Sequence, residues 1–368
     1  MRIAIDARMY GTEHGGIGRY IVNLVDQLQK IDSENEYKIL LRSKYFKQLK
    51  TKNNWEKVLA DVKHYSFYEQ VLITQILNNI KPDLVHFPHF NIPILYQGKF
   101  FVTIHDLLMH KRQSAATTIP LPFYMIKHFG YKLVFKKAIQ EAVKVIVPSN
   151  FVKNEISAIY PESLGKLEVI YEGVDKNVSR GLGGYLRRNH LNKPYFLYVG
   201  SVYPHKNVER AIEAAVFCKK TLVIVTPRNI FLKRLIKFVN KHSAYDYVKF
   251  TGYVEDNELS TLYKNAEAFV YPSLEEGFGL PGLEAMANGC LVLASDIPVF
   301  REIYRDNAIY FNPFDFSSIS RAMEESLKMK PEDKNKIIVK AKLFVEKYRW
   351  QENAKSTLRL YQEAGSFD

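Results

Sequence analysis

Apolar residues fall in short runs at 2–8, 37–42, 83–87, 100–105, 143–148 and 167–171, and again at 195–199, 221–225, 248–252, 268–271, 291–295 and 308–311. Several runs are apolar at consecutive positions, as in FLYV (196–199) and LVIV (222–225). Strands covered on both faces read this way, which is the habit of parallel sheets. Stretches of helical period, such as 20–30 and 207–219, separate the runs. Strand–helix alternation at this rhythm predicts an α/β protein of doubly wound sheets. Six runs precede residue 176 and six follow it. Between them, 176–193 is polar and carries Gly181, Gly183 and Gly184, which predicts a linker. The expectation is two domains, 1–176 and 177–348, facing a central cleft with ligand at the carboxyl ends of the strands.

Composition narrows the class. Of 368 residues, 47% are hydrophobic and 25% charged, ordinary values that exclude disordered and low-complexity chains. Lys and Arg exceed Asp and Glu by 52 − 39 = +13, which suits an anionic partner: nucleic acid, a phosphorylated metabolite or an anionic membrane surface. Two cysteines, Cys218 and Cys290, are too few for a disulfide framework or a cysteine-based zinc site. No apolar run approaches the roughly 18 residues of a membrane span. The opening MRIAIDAR reads as a strand rather than a secretion signal. A cytoplasmic protein is the expectation.

The richest segment is YPSLEEGFGLPGLEAMANG at 271–289. An apolar strand runs into a loop with Gly277 and Gly279, and a helix is predicted to begin near Pro281, where a missing N–H costs nothing. Such a helix start gathers unpaired amides and partial positive charge, an anion site. Glu276 and Glu284 stand on either side of that turn. Two carboxylates make poor phosphate ligands but good acceptors for the vicinal hydroxyls of a sugar and a ribose.

This segment closely resembles the donor-binding signature of glycosyltransferase family four, retaining enzymes of the two-domain GT-B fold. Other pieces follow in order. YVGSVYPHKN (198–207) resembles the family's phosphate-binding strand and loop, and FTGYVEDNELSTLYKNAEAFVYPS (250–273) its base-contacting turn. TIHDLL (103–108) resembles its His-Asp loop, and GGIGRY (15–20) its amino-terminal glycine loop. The likeness spans nearly the whole chain and is strongest to the bacterial branch that builds cell-envelope polysaccharides, mannosyltransferases included.

The resemblance implies the following site. His105, Lys206 and Glu276 would be catalytic. The donor would rest on Gly16, Ser201, His205, Lys206, the turn Gly252, Tyr253 and Val254, and Glu276, Gly277, Phe278, Gly279, Leu280 and Glu284. Gly15, Gly18, Arg19 and Asp106 would face the acceptor. The family often carries an Arg after the strand glycine and a second basic residue before the Lys; here those positions are Ser201 and His205, a thinner positive clamp. A front-face mechanism is implied, in which the departing diphosphate helps deprotonate the acceptor. The sequence names no convincing nucleophile for double displacement, Asp106 and Glu276 being the nearest. No metal and no resident cofactor are expected, only a GDP- or UDP-linked co-substrate. A closing helix over 349–368 would join the first domain.

The residues support this on their own terms. Lys206 at a predicted helix start opposes the helix dipole and gains only if a phosphate lies between. His105 follows a strand at its carboxyl end and can hydrogen-bond a sugar hydroxyl. GGIGRY lacks the third glycine of a dinucleotide fingerprint. Two basic-aromatic segments, 123–138 and 231–242, are amphipathic as interfacial helices are, or pack plainly on a sheet. The function expected is transfer of a hexose, first mannose from GDP-mannose, to a saccharide or polyprenyl-diphosphate-linked acceptor. UDP-linked glucosyl or hexosaminyl transfer is the alternative; a nucleotide-sugar sensor or a nucleic-acid-binding protein is the rival of another class.

Overall fold

The computed structural model describes residues 1–111, 121–175, 184–191, 193–228 and 230–365. Two compact units form, Met1–Gly173 together with Arg349–Asp368, and Val174–Tyr348. The first holds β1 (Arg2–Asp6), β2 (Glu36–Leu41), β3 (Trp55–Leu59), β4 (Leu84–Phe87), β5 (Phe100–Thr103), β6 (Lys144–Val147) and β7 (Leu167–Val169), in the order 3-2-1-4-5-6-7. The second holds β8 (Tyr195–Val199), β9 (Thr221–Val225), β10 (Val248–Gly252), β11 (Ala268–Tyr271), β12 (Val292–Ser295) and β13 (Ile309–Phe311), in the order 10-9-8-11-12-13. Every pairing is parallel.

The apolar runs mark these strands because helices cover both faces; β4, β5, β11 and β12 are buried at every position. β3 carries no such run. It is an edge strand, WEKVL, and only Trp55 is buried. Each sheet reverses its order once, between β1 and β4 and between β8 and β11. Loops leaving such a pair diverge to opposite faces and open a crevice at the carboxyl edge. Of the expected linker, 176–183 and 192 lie outside the described residues, and Gly184–Arg188 is a short helix.

The helix Trp350–Gly365 packs along Gly15–Ile31 in the first unit. Tyr361 Oη meets His86 Nδ1, whose Nε2 lies 2.8 Å from Thr103 Oγ1. Burial pushes His86 down to about 3, so this fully covered ring is a neutral strut between β4, β5 and the last helix. Beneath β1, Arg8 is 1% exposed and spans two carboxylates: Asp6 takes Nε at 2.7 Å and Nη2 at 2.6 Å, and Glu69 lies 2.7 Å from Nη1. Glu69 sits three residues into a helix capped by Ser66, whose Oγ accepts its amide at 3.2 Å.

Candidate active site

Two loops meet at the reversal between β8 and β11. The first leaves β8 through Gly200, whose φ of 144° suits glycine, and ends in the tight turn Pro204–Lys206. The second leaves β11 as Pro272–Gly279. They are tied by the Leu274 amide donating to the His205 carbonyl at 2.8 Å. Asn207 is the brace. It adopts a left-handed conformation at φ 57°, and its Nδ2 donates to the Pro272 carbonyl at 2.9 Å and the Pro313 carbonyl at 2.8 Å. Arg210 Nη1 donates to its Oδ1 at 2.8 Å. The helix therefore begins at Val208, and Lys206 lies in the turn before it rather than in its first turn as expected.

That geometry aims Lys206 at Glu276. Its Nζ donates to Oε1 at 2.6 Å, and Ser273 Oγ donates to the same oxygen at 2.7 Å. Burial acts to raise the Glu276 carboxyl, but the Lys206 charge and hydrogen bond, the His205 charge and the Ser273 hydroxyl outweigh it, leaving it below the usual carboxylate range. Glu276 is thus an anion throughout the neutral range, poised to accept hydroxyl hydrogen bonds.

The turn after Glu276 is shaped by a stack of aromatics. Tyr271, Phe300 and Tyr304 pile face to face, with ring centroids 4.7 Å and 4.9 Å apart. Tyr304 Oη donates to the Gly279 carbonyl at 2.6 Å. Gly279 has φ 104°, and a Cβ there would lie 2.4 Å from Tyr304 Oη, so both backbone and space demand glycine. The helix starts at Leu280, with Pro281 in its first turn. Pro281 has no N–H, and the Gly282 amide donates to the Gly279 carbonyl at 3.2 Å. Glu284 is buried one turn in. Ser201, whose carbonyl accepts from Tyr198 Oη, shares this carboxyl edge. Gly252, the last residue of β10, and Tyr253 and Val254 after it join this edge by topology alone, with Tyr253 exposed and Val254 buried.

The first unit offers a second arrangement. His105 follows β5 with both ring nitrogens engaged: Nδ1 is 3.0 Å from Glu172 Oε1, and Nε2 is 3.0 Å from the Pro88 carbonyl. A carboxylate and a carbonyl only accept, so this pair of partners favours the doubly protonated ring. Burial alone would lower its pKa; the Glu172 hydrogen bond and charge, the Pro88 carbonyl and the Asp106 charge together raise it above the ordinary value. Tyr20 closes one side edge-on at 4.9 Å. Asp106 turns its Oδ1 onto the Leu108 amide at 2.9 Å.

The glycines of GGIGRY are not in a loop between strand and helix. A short turn, Thr12–His14, precedes them, and Gly15, Gly16 and Gly18 form the first turn of Gly15–Ile31, with Arg19 beside them. Gly15 and Gly16 are exposed and face open space. Gly18 is needed for close approach: a Cβ there would lie 1.9 Å from the Gly11 carbonyl oxygen. Sequence reasoning missed Glu172, Ser273, Asn207 and Tyr304. Only the KN pair hinted at Asn207; nothing in sequence spacing joins Glu172 to His105, 67 residues away.

A family model described as Glycosyltransferase Family 4 matches residues 14–178, and one described as Glycosyl transferases group 1 matches 187–344. The O-antigen chain mannosyltransferase RfbU of Salmonella typhimurium is 33% identical over 266 residues, 71% of this chain and 69% of that protein. The chain belongs to glycosyltransferase family four. This glycosyltransferase is also 25% identical over 340 residues to O-antigen chain mannosyltransferase B of Escherichia coli, covering 85% and 87% of the two chains. Sucrose-phosphate synthase from Thermosynechococcus elongatus shares its fold at a TM-score of 0.81 and 17% identity, over 100% of both chains. The fold is GT-B, two Rossmann-like parallel sheets with helices on both faces. In this glycosyltransferase the two residue sets fall on different units: His105, Asp106 and the glycine turn on the first, Lys206, Glu276 and Glu284 on the second.

Proposed function

We propose that this glycosyltransferase moves a hexose with retention, mannose from GDP-mannose, onto a lipid-linked or oligosaccharide acceptor in cell-envelope polysaccharide synthesis. The observation that carries the transfer reading is the Lys206–Glu276 pair beside the Gly279–Leu280 helix start. Mannose and the envelope setting rest on the two relatives named O-antigen mannosyltransferases.

Without substrate the Lys206 ammonium and Glu276 carboxylate neutralise one another. A sugar diphosphate supplies a second anion for Lys206, and the helix-start amides share it. Charge that builds on the leaving diphosphate as the glycosidic bond lengthens meets a cation already in place. Glu276 then accepts hydroxyls of the sugar, while Glu284 holds the ribose. His105, whose two acceptors favour the imidazolium, donates, exchanging the Pro88 carbonyl for a sugar hydroxyl. The acceptor hydroxyl loses its proton to the departing diphosphate on the same face, so configuration is kept. Charge neutralisation by Lys206 and backbone amides supports transfer without a metal.

The test is a panel of GDP- and UDP-sugars, with released nucleoside diphosphate measured with and without acceptor and the product anomer read by NMR. GDP-mannose turnover giving the α-linked product, undiminished by EDTA, is expected. Turnover only with a UDP-sugar would replace the donor, an inverted product would remove the front-face mechanism, and no turnover with any donor would remove transfer.

A further inference from the structure

Strand order 10-9-8 and right-handed crossovers put the helix Val208–Phe217, after β8, beside the helix Ile230–Lys241, after β9, on one face of the second sheet. Both bury an apolar face: Ala211, Ile212 and Ala215 on one, Phe231, Leu232, Leu235 and Val239 on the other. The basic-aromatic segment 231–242 thus packs on its sheet, with its Lys and Arg exposed. Near their first turns, however, the two helices leave a cleft of about 320 Å³, lined also by the loop Val202–Pro204 and by Leu274. Packed interiors leave few voids larger than a water molecule. Small-molecule sites run from about 300 Å³ upward.

The lining joins aromatic rings to charged groups that lack partners. Tyr203 is 40% exposed; its ring meets Phe231 edge-on at 4.7 Å and lies parallel to His205 at 5.9 Å. Arg234 stands over the Phe231 ring at 5.2 Å. Glu209 and Glu213, one turn apart, and Arg234 make no side-chain hydrogen bond and no ion pair among the described residues. Arg210 gives one N–H to Asn207, and its other N–H groups meet no acceptor among the described residues. Two carboxylates and two guanidiniums therefore border one cleft, and none pairs with another.

That chemistry selects the ligand. A phosphate or carboxylate gains from the guanidiniums but meets the two acids. A nucleotide base can stack on Tyr203 yet leaves most of the charged groups without a partner. A neutral saccharide has an apolar ring face to lay on the aromatic and vicinal hydroxyls that both give and accept, giving to Glu209 and Glu213 and accepting from Arg210 and Arg234. We infer that the cleft between Val208–Phe217 and Ile230–Lys241 binds a neutral hexose oligosaccharide. It is separate from the donor crevice, since Lys206, Glu276 and Glu284 do not line it. Asn207 is shared: it lines the cleft, takes the Arg210 hydrogen bond and braces the turn that carries Lys206. The inference takes only its purpose, holding part of a saccharide chain beside the transfer site, from the transfer reading above; binding is measured without donor.

The test is a ligand-observed NMR titration of the full chain with mannotriose and with maltotriose, and with inorganic phosphate as the anionic control. The wild type should bind at least one trisaccharide with a dissociation constant on the order of 1 mM. Tyr203→Ala should weaken that binding about tenfold, and Glu213→Gln and Arg234→Gln about fivefold each, at unchanged melting temperature because none of the three side chains is buried. GDP should not displace the trisaccharide. Lys206→Ala, inactive on the transfer reading, should bind it undiminished, so failed transfer and a failed cleft are told apart. Displacement by GDP, or loss of binding in Lys206→Ala, would place the saccharide in the donor crevice and overturn the inference. So would equal binding by the wild type and the three cleft variants, or no binding of either trisaccharide at concentrations on the order of 10 mM. Phosphate binding that Arg234→Gln abolishes, with neither trisaccharide bound, would make the cleft an anion site and overturn it as well.

Discussion

Each unit sets a cation against a carboxylate at the carboxyl edge of its sheet, yet the two pairs differ in what they leave open. Lys206 meets Glu276 on one oxygen, beside the helix start at Leu280, so an arriving anion finds a cation that it can draw away from its partner. His105 is held at both nitrogens, by Glu172 and the Pro88 carbonyl, so its charge is fixed before any ligand arrives. The first pair can be redistributed by substrate. The second is a set piece that must exchange a backbone carbonyl for substrate to take part. The contrast teaches that a buried ion pair can be a resting state of chemistry or a means of fixing protonation, and that the neighbouring acceptors decide which.

Lys206→Ala tests the first pair most severely. A loss of about 10²–10³-fold in kcat is expected from removing one group that stabilises the leaving charge, and wild-type-like turnover would remove it from the mechanism. Glu276→Gln should lower kcat while thermal shift by GDP or UDP is largely kept, because the proposed function gives Glu276 the sugar hydroxyls and leaves the nucleotide to other groups. Glu172→Gln probes the second pair through pH. The raised His105 pKa holds the imidazolium to higher pH than a free imidazole would, and both its charge and its stabilising effect fade as pH rises through that value. Without the Glu172 charge the alkaline limb of kcat/KM should move to lower pH, with a smaller loss at pH 6 than at pH 8; an unmoved limb would mean His105 has no part in transfer. Glu276 gives the opposite sign. Its lowered pKa stabilises the fold above about pH 4.3 and that contribution is lost as pH falls through the folded value. Asn207→Ala leaves two buried carbonyls without a donor, so a stability loss of about 1–3 kcal/mol by chemical denaturation is expected, together with a kcat loss from a loosened Lys206 turn.

The fold was legible because both sheets are parallel and covered on two faces, which writes each central strand as an apolar run. β3 escaped because an edge strand need not be apolar. The glycine–glutamate signature was legible because backbone needs are local: Gly279 answers to its own φ and to a neighbouring aromatic. The glycines at 15–18 were misplaced because a helix that starts on glycine lacks the usual capping residue; His14 stands there without a side-chain cap bond.

The sequence by itself determined two α/β units, the positions of Lys206, Glu276 and Glu284, and the excess of positive charge, because these depend on spacing within a few residues or on a sum over all of them. Tertiary structure decided that Lys206 reaches Glu276 from 70 residues away, that Glu172 charges His105, and that Asn207 and Tyr304 brace the two loops. Those are meetings between residues distant in the chain, and only strand order brings their loops to one edge.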